Sequence, residues 1–471
     1  MSAQSGHHAS NSAPSGIRTI FVCGASRAYG EVNVVLPLAE SVINEGGEAW
    51  FLMSSLAAQL TRRRFPNRVF ALSTNRRENQ LVFWRMVKKY RPDVIVFSEL
   101  YELLRPFVTP EFPFFNWKLL QDLAHLDATL VFMDFIAQTL LLQSVLDCPQ
   151  CARKLGEEAL YLFLERLSVI LPCPLNEPGP VADRRGIPYD VNRHSKDSAA
   201  NGNRSECRSR YLGQSANKDS LLILRASSTW QVNLAESQGL CLYEYLSDLL
   251  AHYLEGISRP VLLVSVSDAH KLRGPSRNGI LTVLNLPNLP PEEFRDVLLS
   301  ADLIITDNEI SYSVAQAIGK TPVLVLVNSF TPVELAQRER SDSVIGRLIA
   351  AGPGKWGDSV FPHSVYPLPM AAEELETGNG ADSSEPDPSG ALLPYTTRLG
   401  RMPSSPYLRA ELYGGSETKE TLRRLLLDPT AGKALRQQEV SYLQRLRGLS
   451  EGAEVLGKIH TATKLRAHTV I

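Results

Sequence analysis

Two strand–loop–helix units, one in each half of the chain, constrain the fold most. The first is Thr19 to Leu52, TIFVCGASRAYGEVNVVLPLAESVINEGGEAWFL. The second is Ala301 to Val327, ADLIITDNEISYSVAQAIGKTPVLVLV. Each opens with a short apolar, β-branched run of the kind buried on both faces of a parallel sheet. Each then passes through a polar loop and a helix to a second apolar strand. Two such units imply two α/β domains facing each other, and open α/β sheets bind ligands beyond the carboxyl ends of their strands.

The rest of the chain extends both patterns. In the first half, EAWFLM, DVIVFSEL, TLVFMDF and RLSVILPC read as further strands. Asn33 to Asn44, Gln80 to Lys89, Trp117 to Leu126 and Leu155 to Leu164 read as the helices between them. In the second half the order is β-α-β-β-α-β-α-β, from LLILRA at Leu221 to TPVLVLV. Alternation of this kind implies right-handed crossovers and helices on both faces of a parallel sheet. The predicted fold class is therefore α/β, with two facing doubly wound, Rossmann-like sheets and C-terminal helices.

Composition places the boundaries. Residues 1–16 are polar and lack the apolar core of a signal peptide, so they read as a disordered lead-in. Residues 17–190 form the first domain. The polar, aperiodic residues 191–218 read as a linker or mobile loop. Residues 219–352 form the second domain. Residues 353–415 are irregular and contain the acidic stretch Glu373 to Ser389, expected to be disordered. Residues 416–466 regain helical periodicity.

Charge and cysteine usage exclude some functions. The 471 residues carry a formal net charge of -1, so no bulk field favours nucleic acid. No apolar run reaches the roughly 20 residues that span a bilayer. The six cysteines are too sparse for a disulfide scaffold, which makes a reducing cytoplasm the expected location. Cys148 and Cys151 have the spacing of half a zinc site, but a second tight pair is missing. Free structural cysteines and a zinc site both remain open there.

Within the first unit, Ser26, Arg27 and Tyr29 form the loop after the strand, and Gly30 opens the helix. Unpaired N–H groups at such a helix start suit an anionic or hydroxyl-bearing ligand. Gly30, Val32, Asn33, Leu36, Leu38, Ala39 and Gly46 together resemble the opening of GT-B glycosyltransferases. Glu31 stands where many members carry a histidine, sometimes the base that activates the acceptor. The resemblance makes Glu31 the candidate base, and a helix-start carboxylate complementing the dipole is the alternative. Asp134 and Glu99, at the ends of two other strands, are candidate cleft carboxylates. Asp134 would be the partner of the base or an acceptor contact, or else a helix N-cap.

The second unit is similar to the donor-binding segment of the same superfamily. Leu298, Ala301, Asp302, Ile305 and Thr306 match without a gap. Ala315, Gly319, Pro322 and Leu324 match after a one-residue shift in the loop. The resemblance implies that Asp307, Asn308, Ser311 and Ser313 surround the donor diphosphate at a helix mouth. Ser227, Ser228 and Thr229 would be the other phosphate-contacting turn, with Arg225 and Arg273 as sources of positive charge. Trp230 would be either a base-stacking residue or plain packing. The paired glycines of the family are replaced within Asp307, Asn308 and Glu309. Its ribose-gripping acid aligns with Val314, and Gln316 lies two positions off.

The resemblance implies a glycosyltransferase that uses a nucleotide-sugar as co-substrate, with a small-molecule or peptide acceptor and no bound cofactor or metal. In many members the last helix crosses back over the first domain, and Gly414 to Leu446 resembles that region; a separate helical cap or oligomerisation arm is the alternative. Two further readings remain: a GT-B enzyme of another reaction type, such as a nucleotide-sugar epimerase or hydrolase, and a non-catalytic accessory relative.

Overall fold

The computed structural model describes residues 16–24, 30–98, 117–134, 166–173, 186–191, 204–212, 220–226, 242–266, 276–287, 289–306, 311–327, 337, 343–351 and 406–469. Its first sheet has seven strands in the order β3-β2-β1-β4-β5-β6-β7. They are β1 (Arg18–Cys23), β2 (Glu48–Met53), β3 (Val69–Ala71), β4 (Val94–Phe97), β5 (Thr129–Met133), β6 (Leu167–Cys173) and β7 (Ile187–Asp190). All six pairings are parallel; in the centre Phe21 pairs with Phe51 on one side and with Val96 on the other.

Strand alternation divides this sheet into two buried faces. Phe21, Phe51, Val96 and Val131 pack under α1 (Gly30–Asn44) and α2 (Ser55–Arg64). Ile20, Leu52, Ile95 and Phe132 pack under α3 (Arg76–Tyr90) and α4 (Trp117–Ala124). The ends of α3 follow from local chemistry. Asn75 Oδ1 accepts hydrogen bonds from the N–H groups of Arg77 and Glu78, and Arg91 closes the helix in the left-handed region just before Pro92.

The second sheet has the order β10-β11-β9-β8-β12-β13-β14. Its strands are β8 (Leu221–Ala226), β9 (Val261–Val266), β10 (Ser276–Asn278), β11 (Leu281–Leu286), β12 (Leu303–Thr306), β13 (Val323–Val327) and β14 (Leu408–Glu411). Only the β10–β11 pair is antiparallel. The helices are α5 (Arg204–Leu212), α6 (Leu242–Tyr253), α7 (Pro291–Ser300), α8 (Tyr312–Ala317), α9 (Val344–Ala351), α10 (Ser416–Leu427), α11 (Pro429–Leu446) and α12 (Gly452–Thr469). One face of the sheet buries α6, α9 and α10, and the other buries α7 and α8.

The two doubly wound sheets are joined by the C-terminal helices. Leu422 and Leu435 of α10 and α11 belong to the second-domain core. Ala453, Val455, Leu456 and Ile459 of α12 belong to the first-domain core. The last helix, which lies beyond the segment Gly414 to Leu446, thus crosses back over the first domain. Gly452 lets it come close: a Cβ there would collide with Leu38 Cδ1 and lie 3.4 Å from Tyr189. Ser41 Oγ accepts a hydrogen bond from the Ala453 N–H at 3.1 Å.

Several elements differ from the sequence expectation. The helix expected over Gln80 to Lys89 begins at Arg76, and α2 and β3 occupy a stretch assigned to no element. Strands β7 and β10 were likewise not expected; β7 contains Pro188 and is an edge strand, where a missing N–H costs no ladder bond. The stretch 191–218, expected to be a linker, carries α5. That helix has no apolar stripe; it is held by Arg208, whose guanidinium donates to Ser300 O at 2.8 Å and to Asp302 Oδ2 at 2.8 Å. The irregular segment 353–415 ends in β14, which adds a parallel strand beside β13. The expected helix at 155–164, the disorder expected at 1–15 and 373–389, and Cys148 and Cys151 lie outside the described residues.

Candidate functional site

The carboxyl edge of the first sheet carries Gly24 after β1, Ser98 after β4 and Asp134 after β5. Both polar residues extend the ladder one step: the Ser98 N–H donates to Val22 O at 2.9 Å and the Asp134 N–H to Ile170 O at 3.0 Å. Asp134 is fully buried. Continuing the strand alternation puts it in line with Leu130 and Phe132, on the α3–α4 face. Ser98 falls in line with Val94 and Val96, on the face covered by α1. Its Oγ is buried, with no hydrogen-bond partner among the described residues. Nothing in the residue type singled out Ser98; its position directly after the apolar run VIVF was the available signal.

Helix α1 starts at Gly30, so Glu31 sits in its first turn, where backbone N–H groups lack intrahelical partners. Ser26, Arg27, Tyr29 and Glu99 lie outside the described residues, as do Ser227, Ser228, Thr229, Trp230, Arg273, Asp307, Asn308 and Glu309.

On the second sheet, Arg225 is buried near the end of β8, beside Ser265 of β9 and Ile305 of β12. Ser265 Oγ is buried without a hydrogen-bond partner among the described residues. Thr306, the last residue of β12, donates its hydroxyl to Ala226 O at 2.7 Å and so ties the two strand ends together. Ser311 is the N-cap of α8, and its side chain makes no cap bond. Ser313 lies within that six-residue helix.

One family-matching position has structural partners. Asp302 accepts from the Leu222 N–H at 2.8 Å as well as from Arg208, at the amino edge of the sheet, away from the cleft. Val314 is fully buried in the second-domain core. Gln316 lies one turn from Tyr312 on the same helix and opposes the rise of the phenol's pKa.

Tyr312 joins the two halves. It belongs to α8 of the second domain, yet it is 5% exposed and packs, with Ala315, in the first-domain core beside α1. Burial pushes its phenol up to about 12, and the Glu40 carboxylate adds to that, against the opposing Gln316, Arg295 and Arg64. At the rim of this seam Arg64 donates to Glu40 Oε1 at 2.8 Å and to Glu292 Oε1 at 2.9 Å. Burial opposes the charge on Arg64, but the two carboxylates raise its pKa overall. Burial also pushes the Glu292 carboxyl up, and N–H and Arg64 bonds outweigh it to leave the pKa lowered.

Among the described residues no group of three His, Cys, Asp or Glu side chains forms a metal-ligating cluster. No described helix is long and apolar enough to cross a membrane.

Solved structures similar to this chain include the spinosyn rhamnosyltransferase SpnG complexed with thymidine diphosphate, at TM-score 0.49 and 10% identity, covering 94% of this chain and 100% of the other. The spinosyn forosaminyltransferase SpnP matches at TM-score 0.48 and 12% identity over 95% and 99% of the two chains. The glycosyltransferase SnogD from Streptomyces nogalater matches at 0.46 and 11%, also over 95% and 99%. No curated protein sequence matches the chain. Residues 38–373, the greater part of the chain, match the sequence model of a family described as one of unknown function, DUF6365. The chain belongs to that family, DUF6365.

Proposed function

We propose that this protein is a glycosyltransferase, transferring a sugar from a nucleotide-activated donor to a small-molecule or peptide acceptor. One observation carries the reading. The helices that follow the two resemblance-bearing strands, α1 after β1 and α8 after β12, pack on one another through Tyr312. This brings the acceptor-type and donor-type motifs to one seam, as transfer between two bound substrates requires.

In this reading the donor occupies the second-domain side, near Ser311, Ser313 and the turn at Ser227 to Thr229. Arg225, buried at the end of β8, supplies positive charge on that side. The acceptor occupies the first-domain side near Glu31. The acceptor hydroxyl oxygen attacks the anomeric carbon, the bond from that carbon to the diphosphate oxygen breaks, and Glu31 takes the hydroxyl proton. Glu31 as a base requires partial loss of hydration to bring its pKa toward neutrality.

A second reading is favoured by Val314 and Gln316. The family's ribose acid is replaced by a buried valine, and the nearest polar substitute lies two positions off. A GT-B protein with another reaction, or an accessory protein without one, accommodates that loss.

Titration of the full chain with nucleoside diphosphates and nucleotide-sugars tests the proposal. A bound nucleotide at about 100 times its dissociation constant raises stability by about 2.7 kcal/mol. Binding followed by turnover that Glu31→Ala abolishes supports the transferase. Binding with no turnover supports the accessory reading, and absence of any nucleotide binding removes the donor site.

A further inference from the structure

Glu439 lies in the middle of α11 and is fully buried. Its carboxyl spans a turn of the second domain: Oε2 accepts the Gly319 N–H at 2.8 Å, and Oε1 accepts the Val323 N–H at 3.4 Å. These two N–H groups bracket the turn that leads from α8 into β13. The remaining donors of the turn point back, with Lys320 N at 2.9 Å and Thr321 N at 3.0 Å from Ala317 O, and Pro322 has none.

Helix α11 lies directly on this turn. Gly319 has φ +74, and a Cβ there would stand 3.1 Å from Leu443 Cδ1 and 3.2 Å from Val440 Cγ2. The turn therefore needs glycine for both its backbone conformation and its contact. A buried carboxyl is a costly way to fill this space; an apolar side chain of similar volume would pack at lower cost. What the carboxyl adds is directional: two N–H bonds that fix the turn relative to α11.

The other end of α8 is fixed as well, because Tyr312 is buried in the first-domain core. A six-residue helix held at both ends has little freedom. The hold at Gly319 and Val323 thus sets where Ser311 stands. Gly319 and Pro322 are also the positions at which this unit resembles a donor-binding segment, and their anchor comes from 120 residues farther along the chain.

We propose that Glu439 is a positioning residue for the donor-side segment, acting through the Gly319–Val323 turn to fix α8. The proposal rests on the reading of Ser311 and Ser313 as donor-binding. It assigns to the C-terminal helices a role in ligand affinity besides packing.

The test combines amide hydrogen exchange with titration by UDP and dTDP, on the full-length chain and its Glu439→Ala and Glu439→Gln variants. Expected for Glu439→Ala is loss of protection confined to residues 312–323, with β1 and β8 unchanged, and nucleotide affinity weakened about tenfold, the scale of coupling through a packed element. Glu439→Gln keeps an acceptor oxygen for Gly319, so it restores α8 protection and most of the affinity. Unchanged affinity in Glu439→Ala, or protection lost evenly through the second domain, overturns the proposal. If Glu439→Ala does not fold, Gly319→Ala displaces the same contact from the other side and is expected to weaken nucleotide binding similarly; unchanged affinity there overturns it. If the unaltered chain binds neither nucleotide, the donor reading fails, and the exchange pattern alone decides whether Glu439 positions α8.

Discussion

His460 Nδ1 lies 3.0 Å from Thr129 Oγ1, joining residues 331 positions apart. Thr129 opens β5 in the first domain, and His460 belongs to the last helix, which arrives from the second. The bond is half-buried at the amino edge of the first sheet, beside the Arg18–Asp93 pair, whose shortest contact is 3.0 Å. It is a polar pin on an otherwise apolar contact between α12 and the first-domain core.

Acid is expected to loosen this pin. Burial lowers the pKa of His460 and Lys464 lowers it further, while Asp93 and Asp127 act in the opposite sense. A base with a lowered folded-state pKa stabilises the fold fully above its ordinary value of 6.5 and loses that contribution as pH falls below it. Thermal melts between pH 8 and pH 5 should show the unaltered chain losing stability on acidification relative to His460→Gln. Identical pH profiles for the two proteins would sink this assignment.

Glu439 gives the opposite slope. Burial pushes its carboxyl up to about 8 from 4.5, against the bonds from Gly319 and Val323 and the charge of Arg436. Its contribution is complete below pH 4.5, declines as pH rises toward 8, and is then constant. The slope is at most about 1.4 kcal/mol per pH unit. Denaturant titrations at pH 6 and pH 8 should show this decline in the unaltered chain and a flatter response in Glu439→Gln.

Gly452 tests the crossing helix by volume. Gly452→Val places side-chain atoms against Leu38 and Tyr189, and overpacking of this kind costs roughly 1–3 kcal/mol. The expected change is a lower denaturation midpoint with increased exchange in α12 and α1. A midpoint equal to that of the unaltered chain would show that α12 does not pack there.

Arg64 is a calibrating case. Its bond to Glu292 crosses between the domains, but the Glu292 side chain is 61% exposed. An exposed pair of this kind contributes about 0–1 kcal/mol. Glu292→Gln should leave the melting temperature nearly unchanged and make it less sensitive to salt. A large loss of stability would mean that the seam depends on its polar rim more than on Tyr312.

The sequence shows the sheet centres plainly, because β1, β4, β5, β8, β9 and β12 are built around apolar runs buried on both faces. It hides the edges. Strands β3, β10 and β14 are three or four residues long, too short for a periodic signal. Helix α5 is invisible for another reason: Arg208, not an apolar stripe, holds it in place.

At the site, Glu31 and Ser311 are found at helix starts as expected. Ser98 and Tyr312 matter only through partners distant in sequence, which no local pattern encodes. Asp302 reads as part of a donor motif but serves β8 and α5.

Calorimetric titration of the full-length chain with UDP, dTDP and their sugar conjugates tests the central claim most directly. The expected result is saturable binding of one nucleotide per chain, with weaker binding in Arg225→Lys, where the planar fork of donors is lost. The absence of heat and of thermal stabilisation with every nucleotide and nucleotide-sugar would contradict a donor site in the second domain.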